Sequence, residues 1–234
     1  MKEPTLHVAG TSEQLLESLT DWLRAASDDA VRDRGSANWA LSGGSTPRPL
    51  YEKLAQTGAI PWSSLRLFLV DERDVSRRDS LSNFRMIQES LLNRLNPPPL
   101  AVYPWLTEVD PRESLSRYRQ ALAQLPRHEG FPALDVALQG MGGDGHTASV
   151  FPDSPQQRSE DWVAFGPGPE CPRFTLTLPL LARARRVAFL VTGRNKAARV
   201  RECLRDNVDL PAAWLSRHGR EVHWFLDADS AREL

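Results

Sequence analysis

What is scarce in this sequence excludes several classes of protein at once. There are two cysteines, Cys171 and Cys203, far apart and without metal-ligand spacing. A disulfide framework or a zinc knuckle therefore has no support, and reduced structural thiols are expected. No stretch reaches the ~18 uninterrupted apolar residues that a membrane helix needs. The opening MKEPTLHVAGTSEQ also lacks an apolar core of signal-peptide length. A soluble cytoplasmic protein with no membrane partner is the expectation. Nor is charge of one sign in excess. The 29 basic and 30 acidic residues leave a formal net charge of -1, so no general attraction to nucleic acid is implied and any anion site has to be local. Repeats and low-complexity tracts are absent, and Asn96-Pro97-Pro98-Pro99 is too short to separate independent domains. What remains is a chain of 234 residues, 41% hydrophobic and 25% charged, a balance that predicts a single domain over residues 1–234 with a substantial core.

The hydrophobic pattern alternates between two periods. Thr11 and Gln14 fit a capping box, and Leu15, Leu16, Leu19, Trp22, Leu23 and Ala26 follow at helical spacing. Short apolar runs at Trp39–Leu41, Leu65–Val70, Ala101–Tyr103, Leu134–Leu138, Phe174–Leu178 and Val187–Val191 predict strands, mostly buried. Between them, Pro47–Leu54, Asn83–Leu95, Pro111–Leu125 and Lys196–Leu204 carry apolar residues three and four apart and predict helices. Alternating strand and helix favours an α/β fold with helices on both faces of a mostly parallel central sheet, because parallel strands need crossovers. In such folds ligands gather at the carboxyl ends of strands. The proline-rich segment Phe151–Pro172 is predicted to be a long loop near the site.

Four of the predicted strand ends carry candidate chemistry. Leu41-Ser42-Gly43-Gly44-Ser45-Thr46-Pro47 leaves a strand and opens a helix, offering free backbone N–H groups to an anion. It is neither a Walker A loop, since no Gly-Lys-Ser/Thr follows, nor a nucleophile elbow, since Pro47 stands where the last glycine would be. A plain tight turn with a helix cap is the competing reading. Val70-Asp71-Glu72-Arg73-Asp74 ends a strand in four charges, which in isolation reads as an ordinary solvated loop. Thr192-Gly193-Arg194-Asn195-Lys196 places a lysine at the positive end of a helix, an arrangement better explained if an anion sits there.

The remaining strand end is Gly140-Met141-Gly142-Gly143-Asp144-Gly145-His146-Thr147. Glycines 140, 142 and 145 match a dinucleotide fingerprint in form, but Pro152 and Pro155 break the helix that such a fingerprint must open. His146 has two readings, a polar loop residue satisfied by backbone or a functional group, and its chemistry favours the second. Imidazole ordinarily titrates at about pH 6.5 and so supplies a base at neutral pH, with Asp144 close enough to orient it. His7, His128, His218 and His223 have no comparable setting. Four such turns at one end of one sheet would form a single pocket.

Taken together, SGGSTPRPLY, LVDERDV with SLSNF behind it, GMGGDGHTASVFP, RFTLTLPLL, and FLVTGRNKA followed by LPAAW and WFLD resemble the glucosamine-6-phosphate isomerase/6-phosphogluconolactonase family, from about residue 37 onward. The run GDGHTAS, with DER before it and TGxxKA after it, carries most of the specificity and points to the lactonase branch. The resemblance implies a three-layer α/β/α fold of the glucosamine-6-phosphate isomerase/ribose-5-phosphate isomerase-like type. It also implies hydrolysis of 6-phospho-D-glucono-1,5-lactone to 6-phosphogluconate in the oxidative pentose phosphate pathway, with no cofactor and no metal, by a chain expected to be monomeric. By the same resemblance His146 is the general base with Asp144 beside it, and Arg73 and Lys196 hold the phosphate near Gly43, Gly44 and Ser45. Asp71 then lines the sugar pocket, and Gly145 belongs to the substrate-binding turn.

The related deaminases place a glutamate five residues after the histidine, where this chain has Phe151, and this counts against the isomerase or deaminase alternative. A non-catalytic sugar-phosphate sensor is the other alternative, but such sensors usually carry a DNA-binding segment, and no basic extension or helix-turn-helix pattern is evident. The chain departs from the usual lactonase pattern at Phe84, where tyrosine is frequent, and at Arg77-Arg78, where acidic or proline residues often follow DER.

Overall fold

The computed structural model describes residues 3–206 and 208–234; Met1, Lys2 and Asn207 of the expected single domain lie outside the described residues. The chain runs β1 (Thr5–Ala9), α1 (Ser12–Arg34), β2 (Ala37–Leu41), α2 (Arg48–Gln56), β3 (Leu65–Leu69), β4 (Asp71–Arg73), α3 (Asn83–Ser90), β5 (Ala101–Tyr103) and α4 (Pro111–Ala123). It continues through β6 (Arg127–His128), β7 (Phe131–Pro132), β8 (Val136–Gln139), β9 (Val163–Gly166), β10 (Arg173–Leu176), α5 (Leu178–Ala182), β11 (Arg186–Val191), α6 (Ala197–Arg205), α7 (Pro211–His218) and β12 (Val222–Asp227).

Seven strands form one sheet in the order β1-β12-β11-β8-β2-β3-β5, every pairing parallel. The central runs are apolar on both faces, as ANWAL in β2 illustrates with all five residues buried, because helices cover both sides. On one side α1, α2 and α3 pack in succession, and α5, α6 and α7 form a second group. The result is the expected three-layer α/β/α architecture. Helix α1 shows how sequence sets an element here. Thr11 Oγ1 accepts from Gln14 N at 3.2 Å, Leu15, Leu19, Leu23, Ala26 and Ala30 are buried along one face, and Gly35 ends the helix in the left-handed conformation at φ 73. Each leucine so buried contributes roughly 1.5–3 kcal/mol over its exposed state. The helix runs two turns past Ala26, the last apolar position that periodicity marks, because Ala30 continues the buried stripe.

Several boundaries differ from expectation for identifiable reasons. The apolar run Leu65–Val70 does not end in a solvated loop. Val70 N donates to Leu41 O in the main sheet at 2.9 Å, while Val70 O accepts from Leu176 N at 2.7 Å, so the chain passes there into a second, antiparallel sheet of order β4-β10-β9. The strand predicted at Phe174–Leu178 is β10 of this small sheet and not a member of the parallel one. The expected loop Phe151–Pro172 contains a 3-10 turn at Pro155–Arg158 and strand β9. Asn83–Leu95 is not one helix, since a 3-10 turn at Leu92–Arg94 follows α3.

Chain order reverses direction between β2 and β8. From β2 the chain steps outward to β3 and β5; from β8 it steps the other way to β11 and β12. Turns leaving β2 and β8 therefore diverge at their carboxyl ends and open a crevice at this switch point.

Candidate active site

A cavity of about 380 Å³ occupies that crevice. Its walls take Ser42–Pro47 from the turn after β2, Asp71 and Arg73 from β4, Gly140–Gly142 and His146 from the turn after β8, and Lys196 from the turn after β11, so all four candidate strand ends contribute. Of the residues singled out in the sequence, Gly43, Gly44, Ser45, Asp71, Arg73, His146 and Lys196 line it. Asp144 stands behind His146. Gly145 faces the other way, adopting φ +87 against Leu210 and Arg199.

The turn after β8 holds the histidine by local bonds. Asp144 Oδ1 accepts from His146 N at 3.1 Å and lies 2.6 Å from His146 Nδ1. Gly142 N donates to His146 O at 2.9 Å. A Cβ on Gly142 would come within 2.1 Å of His146 Nδ1, so only glycine lets the ring lie against the backbone. Burial acts to raise the Asp144 carboxyl, but the charge of His146 and the hydrogen bonds from it prevail and hold Asp144 below its ordinary range. An ionised carboxylate only accepts, which places the imidazole proton on Nδ1 and leaves Nε2 as the free basic nitrogen. The ring also meets Phe151, tilted at 50° with centroids 4.6 Å apart.

The charges of DER are not solvated as an isolated reading of the motif suggests. Glu72 is 1% exposed and Asp71 7%. Glu72 accepts from the backbone N–H groups of Arg73, Asn83 and Phe84 and from Ser82 Oγ, which caps the start of α3 and fastens it to β4. Burial pushes the Glu72 carboxyl up, against the pull of those backbone donors. Asp71 accepts from Ser149 Oγ at 2.6 Å and from Asn83 Nδ2 at 3.2 Å. Asn83 is the hub: its Oδ1 also takes Arg73 Nη1, and its amide lies where a Cβ on Gly43 would be, 1.8–1.9 Å away. Gly43 is thus required by close approach, and the first two motifs are welded through one asparagine.

Three cations reach the cavity. Arg73 is bound through Nη1 to neutral acceptors, Leu81 O at 2.8 Å and Asn83 Oδ1, while its buried Nε has no partner. Arg173 lies directly across from Arg73 in the β4–β10 register, is 6% exposed, and likewise has a buried Nε without an acceptor. Lys196 is held below its ordinary range by burial, opposed by the charge of Asp144. Cations held at least partly out of water, with donors unspent on Arg73 and Arg173, favour an anionic ligand. Asn83, Arg173 and Ser149 lie inside quoted motifs but received no role from sequence, because nothing local pairs residue 73 with 173 or 71 with 149. Among the described residues no group of three or more His, Cys, Asp or Glu side chains could hold a metal ion.

Comparison with known proteins identifies relatives along the whole chain. The family model described as glucosamine-6-phosphate isomerases/6-phosphogluconolactonase matches residues 10–224. A 6-phosphogluconolactonase of Synechocystis sp. is 36% identical over 99% of this chain and 98% of its own length. The solved 6-phosphogluconolactonase from Trypanosoma brucei superposes with a TM-score of 0.89 at 29% identity, covering 100% of both chains. A monomeric glucosamine-6-phosphate deaminase shares the fold at a TM-score of 0.81 and 19% identity, covering 98% of this chain and 100% of its own. Matched by the family model over residues 10–224 and 36% identical to a relative along 99% of its length, this chain belongs to the glucosamine-6-phosphate isomerase/6-phosphogluconolactonase family.

Proposed function

We propose that this protein hydrolyses 6-phospho-D-glucono-1,5-lactone to 6-phospho-D-gluconate, with water activated by His146. The observation that carries this reading is the Asp144–His146 pair, whose free Nε2 belongs to a ring that lines a cavity rimmed by Arg73, Arg173 and Lys196. Nε2 takes a proton from water as its oxygen attacks the lactone carbonyl carbon. The tetrahedral oxyanion collapses, the bond to the ring oxygen breaks, and the proton passes from the imidazolium to that departing oxygen. One water is consumed and one hydroxy acid is formed. Asp144 stabilises the imidazolium in between. General-base assistance of this kind is typically worth roughly 10²–10⁴-fold.

The phosphate, remote from the reacting carbon, binds the cations and the N–H groups of the Gly43–Ser45 turn, and so positions the carbonyl. Asp71, fixed by Ser149 and Asn83, accepts from a sugar hydroxyl. Phe151 packs an apolar ring on His146 where the deaminase branch would have its glutamate, which favours water activation over proton shuttling between sugar carbons. The proposal includes a single domain acting as a monomer in the cytoplasm without cofactor. No helix among the described residues is long and apolar enough to cross a membrane.

His146→Ala tests the reading. Turnover of freshly generated lactone, corrected for spontaneous hydrolysis, drops by roughly 10²–10⁴-fold, while 6-phosphogluconate still binds by calorimetry. Near-normal turnover in the variant would overturn the assignment.

A further inference from the structure

Facing the substrate cations is one acidic side chain that the proposed mechanism leaves unused. Glu170 lines the same cavity and lies 3.8 Å from Arg173 Nη2 through its Oε2. That separation is an ion pair too long to be a hydrogen bond. The side chains differ sharply in setting, with Glu170 60% exposed and Arg173 8%. The loop that carries Glu170 is fastened on both sides of it, by Gln156 Nε2 donating to Pro167 O at 3.0 Å and by Asp74 N donating to Pro172 O at 2.9 Å. Arg173 is fixed more tightly still. A Cβ on Gly168 would fall 2.6 Å from Arg173 Cγ and 2.8 Å from its Nε, so the stem of the arginine is pressed against the backbone of this loop.

We infer that Glu170 is a specificity-determining residue, an intramolecular counter-ion that competes with the phosphate of the substrate for Arg173. The inference rests on the proposed reading of the cavity as a sugar-phosphate site. A buried guanidinium with an unpartnered Nε attracts any anion small enough to enter. Glu170, tethered beside it but not hydrogen-bonded, partly neutralises it and has to swing aside before a phosphate makes charge-assisted hydrogen bonds. A dianionic phosphoryl group with three acceptor oxygens displaces a loosely held carboxylate more readily than a singly charged anion does. Glu170 thereby raises the threshold for weak anions and sets KM for the phosphorylated substrate above what the three cations alone would give. It makes no demand on the water-activating step at His146.

The test is a gain of affinity, which a merely structural role would not produce. In Glu170→Gln and Glu170→Ala, calorimetry with 6-phosphogluconate and with inorganic phosphate gives dissociation constants lower by roughly two- to fivefold, the scale of a partly exposed ion pair. KM falls in step while kcat is unchanged. Unchanged affinity in folded variants, verified by thermal melting, overturns the inference, and so does weaker binding, which would make Glu170 a contact that the ligand uses. Phosphate binding needs no turnover. If the wild-type protein fails to hydrolyse the lactone, the proposed function falls while the comparison of phosphate affinities still decides the role of Glu170.

Discussion

The two ends of the parallel sheet carry similar charge to opposite effect. At the carboxyl end, Arg73, Arg173 and Lys196 line a cavity of about 380 Å³. At the amino end, a hollow of about 410 Å³ is lined by Arg32, Arg34, Arg185, Arg186 and Arg220 with Asp29, Asp33, Asp135 and Glu221. The richer cluster of arginines is the one whose charge is already paired with carboxylates, even though the buried Nε of Arg185, like those of Arg73 and Arg173, makes no hydrogen bond. Arg34 and Arg185 lie 2.8 Å and 3.3 Å from Asp135, Arg186 lies 2.9 Å from Asp29, and Arg32 lies 2.7 Å from the same carboxylate. Arg73, by contrast, meets only neutral oxygens, and Arg173 only the distant Glu170. An anion gains at one end by meeting donors that are unspent and at the other only by breaking pairs already made. Density of charge does not make a binding site; unmatched, immobilised charge does.

Substitutions at the two ends are expected to separate binding from stability. Among substitutions that leave His146 in place, the largest effect belongs to Arg73→Ala. It removes charge-assisted hydrogen bonds worth roughly 1.5–3 kcal/mol each, so kcat/KM for the phosphorylated lactone drops by about 10- to 150-fold. Most of the loss is in KM, and a rise in KM of less than about threefold would remove Arg73 from phosphate binding. At the opposite end, Arg34→Ala leaves KM unchanged but takes one partner from Asp135, a carboxylate only 4% exposed. The cost is about 1–3 kcal/mol of stability, read as a fall in Tm of roughly 2–4 °C per kcal/mol. An altered KM with an unaltered Tm would reverse the contrast between the two ends.

The smallest effect comes from a chain of contacts leading away from the amino end. Glu221 Oε1 lies 3.0 Å from His223 Nε2, and His223 Nδ1 lies 3.0 Å from His7 Nε2, with Phe225 stacked on His7 and Trp22 tilted against His223. Burial, and then the neighbouring His223, hold His7 below its ordinary pKa. A histidine depressed in the fold favours its neutral form. The stability it contributes is therefore complete above the ordinary value of about 6.5 and is lost as pH falls from there through the lower folded value. Urea midpoints measured from about pH 8 to about pH 5 decline accordingly, with lactonase KM unaffected at pH 8. His7→Phe, which keeps the stack on Phe225, flattens that decline; an unchanged slope would exclude His7 as its source.

Much of this architecture was legible in the order of residues. Strands β2, β3, β5, β8 and β11 of the parallel sheet declared themselves as apolar runs, and α1 by its cap and its stripe of leucines, but the buried strand β12 did not, because His223 interrupts its apolar run. Strand β1 left no such sign because Leu6 and Val8 lie at an exposed edge and Thr5–Ala9 lacks a continuous apolar run. The 173–176 strand was recognisable as a strand but not as a member of a second sheet, since pairing partners are chosen across the fold and leave no local mark. In the site, His146 and Asp144 were readable because they are two residues apart on one glycine turn, where the backbone alone brings a carboxylate to Nδ1. Asn83 and Arg173 were not, because their partners Gly43, Asp71 and Arg73 lie on other elements.

The sequence by itself therefore determined the turns and the pairing of His146 with Asp144, which depend on bonds spanning a few residues, whereas the close approach that demands Gly43 comes from Asn83 on another element. Only the tertiary structure decided which cations share the cavity and which are spent on neighbouring acids. That outcome depends on distances between strands far apart in the chain, set by the packing of the sheet and its helices and not by anything within reach of the charged residues themselves.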